Sequence, residues 1–550
     1  MALRDDIQSA IRGEVADDAA TLTKFSRDTS VFERIPSLVV YPKDAEDVAN
    51  LVKTVRVAKE KGEHVSVTGR AAGTCMSGGP LTSSVVAVFT RFMNKVIEVG
   101  DDYAITEPGV YYRDFEKETL KKNLLLPSYP ASRELAAMGG IIANNSGGER
   151  TLEFGKTEKY VEELDVVLSD GSRTTFKALG PDELLQKKAE NTFEGDIYRK
   201  MSDLILTNRE VIEAARPKVS KNSAGYSLWD VFDVENGTFN LAKLITGSQG
   251  TLALFTQAKL KLVKPEPNRS MLVIFLSDLD ILPEIVKRVL KFNPESFESY
   301  DDHTFKLAVQ FLPQMLSQMG LARAMRLGFS FLPEVGLVLK GGVPRLVLMA
   351  EFSELTHEAA LKAAQDARTA LKDLNLQTRI NVNEAASEKY WIVRRESFAL
   401  LRKNLKGLYA SPFIDDFVVP PETYPKFLPE LYELLGQYKL TYTIAGHVGN
   451  GNFHIIPLMD LSDEKSHDII MELSPKVYEL VIRYGGTTTG EHNDGIIRTP
   501  YLPMLFGEKM VELFAETKKI FDPLNIFNPG KKVGGTFDDI REAMTHHKEV

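Results

Sequence analysis

From Ala45 to Lys61 apolar residues recur at mixed three- and four-residue spacings (Val48, Leu51, Val52, Val55, Ala58), the stripe of an amphipathic helix. Short apolar runs at Val65–Thr68 and Val85–Thr90 read as strands, with a glycine-rich stretch between them. Within Glu163–Phe176 two β-rich runs meet at Asp170-Gly171, a hairpin dipeptide. Leu252–Val263 alternates as a strand and stops at Lys264-Pro265-Glu266-Pro267. Proline fixes φ and removes a donor, so this pair predicts a domain boundary. Beyond it strand and helix patterns take turns (Met271–Leu276, Leu279–Lys291, Arg345–Phe352, Ala359–Leu374), predicting an α+β domain. Pro503–Phe521 reads as a helix closed by Asp522-Pro523-Leu524-Asn525. The expected division is 1–265, 266–505 and a C-terminal segment 506–550.

Composition narrows the class. A chain of 550 residues suits two or three domains, and 43% hydrophobic with 26% charged residues is a soluble globular balance. The net charge of −9 argues against nucleic acid as the partner. Cys75 is the one cysteine, so neither an internal disulfide nor a cysteine-ligated cluster can form within this chain. The first residues carry no secretory pattern, and no apolar run approaches a membrane span of about 20 residues. A cytoplasmic setting is the expectation.

Three glycine-rich stretches punctuate the first half: Gly69–Pro80, Gly139–Gly148 and Gly247–Leu252. Glycine lets bare N–H groups converge on an anion, although any one stretch alone is more often a tight turn. None has the spacing of a dinucleotide fold or a P-loop. Together they imply a ligand with phosphates and a planar part, without naming it.

A different chemistry lies near the C-terminus, in Ala445-Gly446-His447-Val448-Gly449-Asn450-Gly451-Asn452-Phe453-His454. On a straight strand the two histidines would face opposite sides. Asn450-Gly451 is a hairpin signal, and a turn there would bring His447 and His454 together. Gly490-Glu491-His492-Asn493-Asp494-Gly495 adds a carboxylate and a third imidazole. Two imidazoles and a carboxylate suit a divalent ion with positions left for substrate. The alternative is that these are ordinary core or loop histidines.

The order of these segments resembles the FAD-binding domain of the vanillyl-alcohol oxidase and p-cresol methylhydroxylase superfamily. The similar segments are Arg70–Pro80, Leu126–Ser132, Gly139–Gly148, Phe154–Thr157, Gly247–Leu254 and Asn528–Lys531. The resemblance implies an α+β fold: a two-part FAD-binding domain, an α+β cap and a C-terminal return to the FAD domain. It implies non-covalent FAD held by Arg70, Ala71, Ala72, Gly73, Thr74, Cys75, Ser77 and Gly78 in one loop. Tyr129, Ser132, Gly139, Gly140, Asn144, Ser146, Gly147, Gly155, Gln249, Gly250, Leu254 and Asn528 complete the expected set. Ala72 and Cys75 stand where the family has glycine, and Ile141 where it often has asparagine.

The histidine motifs resemble the C-terminal regions of D-lactate and D-2-hydroxyglutarate dehydrogenases. That likeness implies a divalent metal, zinc or manganese, on His447, His454 and Glu491, with His492 as base. Asn493 replaces the family's glycine. Trp391–Glu396 is similar to the segment supplying an arginine for the substrate carboxylate, and Arg394 matches best. A lysine of hydroxyglutarate-specific relatives has no counterpart near Ile414, which favours D-lactate.

The expected enzyme is therefore an FAD-linked D-2-hydroxy-acid dehydrogenase. Its electrons would go to a quinone, a cytochrome or an electron-transfer flavoprotein, since no nicotinamide fingerprint is present. D-2-hydroxyglutarate oxidation, a synthase of the alkylglycerone-phosphate type and a non-catalytic electron relay are the rivals. The segment 304–342 looks like an insertion, apolar with basic Lys306, Arg323, Arg326 and Lys340. It suits peripheral contact with the inner membrane face or packing in its own fold; a homodimer stays open.

Overall fold

The computed structural model describes residues 2–302, 304, 343–404 and 407–545. The insertion expected at 304–342 lies, but for Thr304, outside the described residues. Three sheets follow one another along the chain.

The first is four-stranded, in the order Glu14–Ala16, Leu38–Tyr41, Val85–Val88, Val67–Arg70. Its first pairing is antiparallel and the other two are parallel, and the helix Ala45–Glu60 covers it. That helix starts where expected because the Asp44 side chain accepts from the Glu46 and Asp47 amides. Its apolar stripe, Val48, Leu51, Val52 and Val55, is fully buried.

The second sheet has seven antiparallel strands, ordered Val96–Val99, Tyr103–Thr106, Leu254–Lys261, Val161–Val167, Arg173–Leu179, Thr238–Asn240, Phe232–Asp233. Lys264–Pro267 then leads out to the third. There eight antiparallel strands form the path Gln377–Asn381, Asn268–Leu276, Leu346–Glu354, Ser296–Asp301, Thr441–His447, Asn452–Met459, Tyr409–Ala410, with Phe417–Val418 beside the sixth.

The C-terminal segment ties the parts together. Met510, Leu513 and Phe514 of the helix Glu508–Phe521 enter the core under the second sheet. Ile526 and Phe527 join the core of the first. The last helix, Phe537–Ala543, packs instead with the third sheet's core beside Val31 and Phe32. The single helix expected over Pro503–Phe521 is two, Leu502–Phe506 and Glu508–Phe521, because Gly507 takes φ +77° between them. Among the described residues no helix is long and apolar enough to cross a membrane.

Candidate active site

A cavity of about 900 Å³ opens between the three sheets. One end is walled by Arg70–Met76, Gly139–Ile141, Asn144, Ser146, Gly147 and Ser248–Gly250. The other is walled by Arg394, Tyr409, Thr443, Ala445, Ile456, Leu461, His447, His454, Glu491 and His492.

The first end is a backbone cradle. Strand Val67–Arg70 delivers the chain into it, and Arg70 is held at its wall by donating to the Phe25 and Arg27 carbonyls. Left-handed backbone falls on Gly73 (φ +74°) and Gly78 (φ +79°), not on Cys75, so the residues replacing family glycines are unstrained. A Cβ at Gly73 would run into the Arg70 guanidinium. Of the residues expected around FAD, Arg70, Ala71, Ala72, Gly73, Thr74, Cys75, Ser132, Gly139, Gly140, Asn144, Ser146, Gly147, Gln249, Gly250 and Leu254 line the cavity.

Ser77, Gly78, Tyr129, Gly155 and Asn528 stand behind it. Tyr129 is buried with its hydroxyl on Glu149. The Asn528 amide donates to the Gly79 and Gln249 carbonyls, pinning the C-terminal return to two of the loops. The volume falls within the range of about 300–1,000 Å³ usual for cofactor and ligand sites. Three bare-backbone loops at one end fit a dinucleotide.

The other end is built on the hairpin. Thr441–His447 pairs antiparallel with Asn452–Met459, His454 lying opposite Ala445 and His447 opposite Asn452. The histidines are thus diagonal neighbours on one face, their rings 5.3 Å apart. The connection is a Val448–Asn450 turn ended by Gly451 at φ +75°, longer than a two-residue Asn-Gly hairpin but with the same result.

Glu491 completes the arrangement. Its Oε1 lies 3.3 Å from His447 Nε2, 3.4 Å from His454 Nε2 and 3.8 Å from His492 Nε2. Each imidazole is oriented from behind: His447 Nδ1 by Glu298 at 2.6 Å, His454 Nδ1 by Asp415 Oδ1 at 2.9 Å, His492 Nδ1 by Asp415 Oδ2 at 2.6 Å. A carboxylate on Nδ1 fixes the tautomer that presents the Nε2 lone pair, the usual support of a metal-binding histidine. Buried Lys221 sits 3.2 Å from Glu491 Oε2 and offsets its charge.

Ligand atoms of Asp416, His454, Glu491 and His492 also lie within 4.8 Å of one another. Asp416, however, is already engaged, accepting from the Glu491 and His492 amides, Asn452 Nδ2 and the Thr489 hydroxyl. It orders the loop, and His447, which stands outside that group, places its Nε2 3.3 Å from Glu491 Oε1.

The charges follow from this packing. Burial opposes protonation of His454, but the Asp415 carboxylate overcomes it and pushes the imidazole up to about 10. Burial also opposes protonation of His492, which Asp416 and Asp415 raise above its usual range. Burial would raise Glu491; Lys221 and His447 hold it well below the usual carboxylate range. Arg394 lines the cavity with its Nε 3.3 Å from Glu298, the same carboxylate that orients His447.

Sequence reasoning did not find Glu298, Asp415, Asp416 or Lys221. One signal was readable: Phe413-Ile414-Asp415-Asp416-Phe417-Val418 places two carboxylates inside an apolar run, where burial demands partners. Ile414 itself packs into the third sheet's core and does not line the cavity, so its identity says nothing about substrate.

Comparisons agree with this layout. Residues 36–177 match the family described as FAD binding domain, and 264–532 match the FAD linked oxidases, C-terminal domain. The chain is 29% identical to a D-2-hydroxyglutarate dehydrogenase of Pseudomonas putida over 95% of its own length and 51% of that protein's. It is 27% identical to a D-lactate dehydrogenase of Archaeoglobus fulgidus, covering 90% of this chain and 91% of that one. The chain thus spans about half the length of the first of these relatives. In fold it is similar to p-cresol methylhydroxylase (TM-score 0.68, 15% identity, 98% and 97% covered). The chain thus joins an FAD binding domain to an FAD linked oxidases C-terminal domain, has the fold of p-cresol methylhydroxylase, and is similar in sequence to D-lactate and D-2-hydroxyglutarate dehydrogenases.

Proposed function

We propose that the protein is an FAD-linked, metal-assisted dehydrogenase of a small D-2-hydroxy acid, D-lactate first among them. The observation that carries this is the convergence of three imidazole Nε2 atoms on Glu491 Oε1, in the same cavity that the glycine loops wall. FAD held by those loops supplies hydride acceptance. His447, His454 and Glu491 would hold a divalent ion, zinc or manganese, whose charge would lower the substrate hydroxyl's pKa and disfavour a proton on His492. The chain's own residues do the rest. Arg394 offers a guanidinium to the substrate carboxylate. Asp415 holds His492 so that Nε2 faces the cavity and takes the hydroxyl proton. Ala445, Ile456 and Leu461 leave an apolar wall that suits a short side chain.

D-2-hydroxyglutarate is the second reading, favoured by the names of several relatives. Reoxidation falls to an external acceptor, a quinone, cytochrome or electron-transfer flavoprotein, because one cysteine holds no cluster. The test is anaerobic bleaching of the bound flavin by a panel of D- and L-2-hydroxy acids. Bleaching by D-lactate ahead of D-2-hydroxyglutarate and all L-acids is expected; a reversed order moves the assignment to the dicarboxylate. Bleaching by none of them sinks it. Acid precipitation should first release a yellow supernatant containing FAD, and a colourless protein that takes up no FAD ends the reading.

A pH prediction follows from His454. Its imidazole, raised to about 10, is protonated in the metal-free site at neutral pH, and metal must displace that proton. Below that pKa the sign is fixed: affinity climbs with pH, by roughly tenfold per unit between about pH 6 and 8 if one proton leaves. Calorimetry in two buffers of different ionisation enthalpy should show the release. A pH-independent affinity would remove His454 from the ligand set.

A further inference from the structure

The turn that carries Glu491 and His492 bears an asparagine at its tip, and the surroundings of that side chain have no part in the chemistry above. Asn493 is fully buried and takes φ +69°, a conformation glycine adopts freely and asparagine at modest cost. The backbone alone would favour glycine. What the side chain adds is a set of contacts reaching away from the metal end. Its Nδ2 donates to the Gly247 carbonyl at 2.9 Å and the Asn144 carbonyl at 3.1 Å, while its Oδ1 accepts from the Asp494 amide. Asn144 lines the glycine-loop end of the cavity, as do Ser248 and Gln249 next to Gly247.

Two further contacts hold the same turn against the same loops. Ser77 of the first glycine loop donates its hydroxyl to the His492 carbonyl and accepts at its own carbonyl from the Ile496 amide. Gln249 accepts from the Gly495 amide and donates to Asn144 Oδ1. The turn is also held by Asp416 on the Glu491 and His492 amides and by Lys221 on the Glu491 carboxylate, and the Asn493 amide joins that network through the Thr489 hydroxyl.

We infer that Asn493 is a positioning residue that latches the His492 turn to the loops of the flavin pocket, so that cofactor occupancy and base placement support each other. The support is reciprocal by thermodynamic necessity: whatever orders loops 144–147 and 247–250 also fixes the turn, and the reverse. The inference rests on the proposed function for the role of His492. Its test reads FAD release without any substrate, so the two can fail separately.

The experiment compares FAD-loaded, metal-loaded wild type with Asn493→Gly, which keeps the backbone conformation, and Asn493→Asp, which keeps the shape but turns an oxygen toward two carbonyls. FAD dissociation, metal content, melting temperature and the rate and substrate dependence of anaerobic flavin reduction are measured. For Asn493→Gly the expected result is FAD release about tenfold faster and flavin reduction about tenfold slower, the scale of two lost neutral hydrogen bonds. KM and metal content should stay near wild type, and Asn493→Asp should be worse on both affected counts. Wild-type FAD release and reduction rate in Asn493→Gly would overturn the latch. So would equal losses of melting temperature in FAD-loaded and FAD-free protein together with metal loss, which mark a brace of the whole fold. If wild type shows no hydroxy-acid bleaching but Asn493→Gly still sheds FAD faster, the latch stands and the substrate assignment falls.

Discussion

Replacing His492 by alanine should slow anaerobic flavin reduction by the D-2-hydroxy acid about 10²–10⁴-fold, the usual consequence of losing a general base. FAD and metal should stay at wild-type occupancy. Of the three imidazoles, His492 stands farthest from Glu491 Oε1, at 3.8 Å against 3.3 and 3.4 Å, and is the most exposed to the cavity. Its ring stacks on His454 at 5.1 Å and 27°, so it is placed beside the donor set and its Nε2 stays available. Asp415 shares its two oxygens between His492 and His454. Removing the base therefore leaves the ligand His454 oriented. Asp415→Asn, in contrast, should damage both functions at once, lowering metal affinity by about 10–100-fold as loss of a ligand's supporting carboxylate does. Metal content of His492→Ala, measured after dialysis, decides the matter. A variant that loses its metal makes His492 a ligand and sends the search for the base elsewhere.

The parts of this site legible in the sequence were those carried by short-range rules. Asn450-Gly451 bent the chain, and the four-residue connection keeps the register parity of a two-residue hairpin, so His447 and His454 still share a face. Glycine spacing located the cavity's other end because a backbone that must approach a ligand closely leaves few residue choices. What escaped was long-range. Glu298 lies 149 positions from the histidine it orients, and Lys221 lies 270 from the glutamate it neutralises. No local pattern marks either: Glu298 meets His447 only through the pairing of two strands distant in sequence, and Lys221 reaches Glu491 from a loop. The Asp415-Asp416 pair was readable in principle, as two charges in an apolar run, but its targets were not. Ile414 shows the reverse error: the position near which a lysine of hydroxyglutarate-specific relatives was sought packs into a hydrophobic core.

On the proposed function, loss of His447 or His454 should be as damaging as loss of the base, because it would remove the charge that steadies the developing alkoxide. His447→Ala and His454→Ala should each bring hydroxy-acid-dependent bleaching down by roughly 10³-fold or more, several kcal/mol of lost stabilisation. Bound FAD should remain, since neither residue belongs to the glycine loops. Chelation of wild type should reproduce the loss, and added zinc or manganese should restore it in wild type alone. The two variants should then differ in a way their neighbours dictate. Removing His447 leaves buried Glu298 with Arg394 as its partner at 3.3 Å, so the guanidinium is drawn toward the orphaned carboxylate and away from the substrate. Residual activity should show a raised KM. Removing His454 leaves Asp415 to His492 alone, which raises the base's proton affinity and shifts the residual rate's pH optimum upward, with KM little changed. Full activity in metal-free wild type would reduce all three residues to structural roles; identical KM and pH profiles in the two variants would break the link from Arg394 through Glu298 to His447.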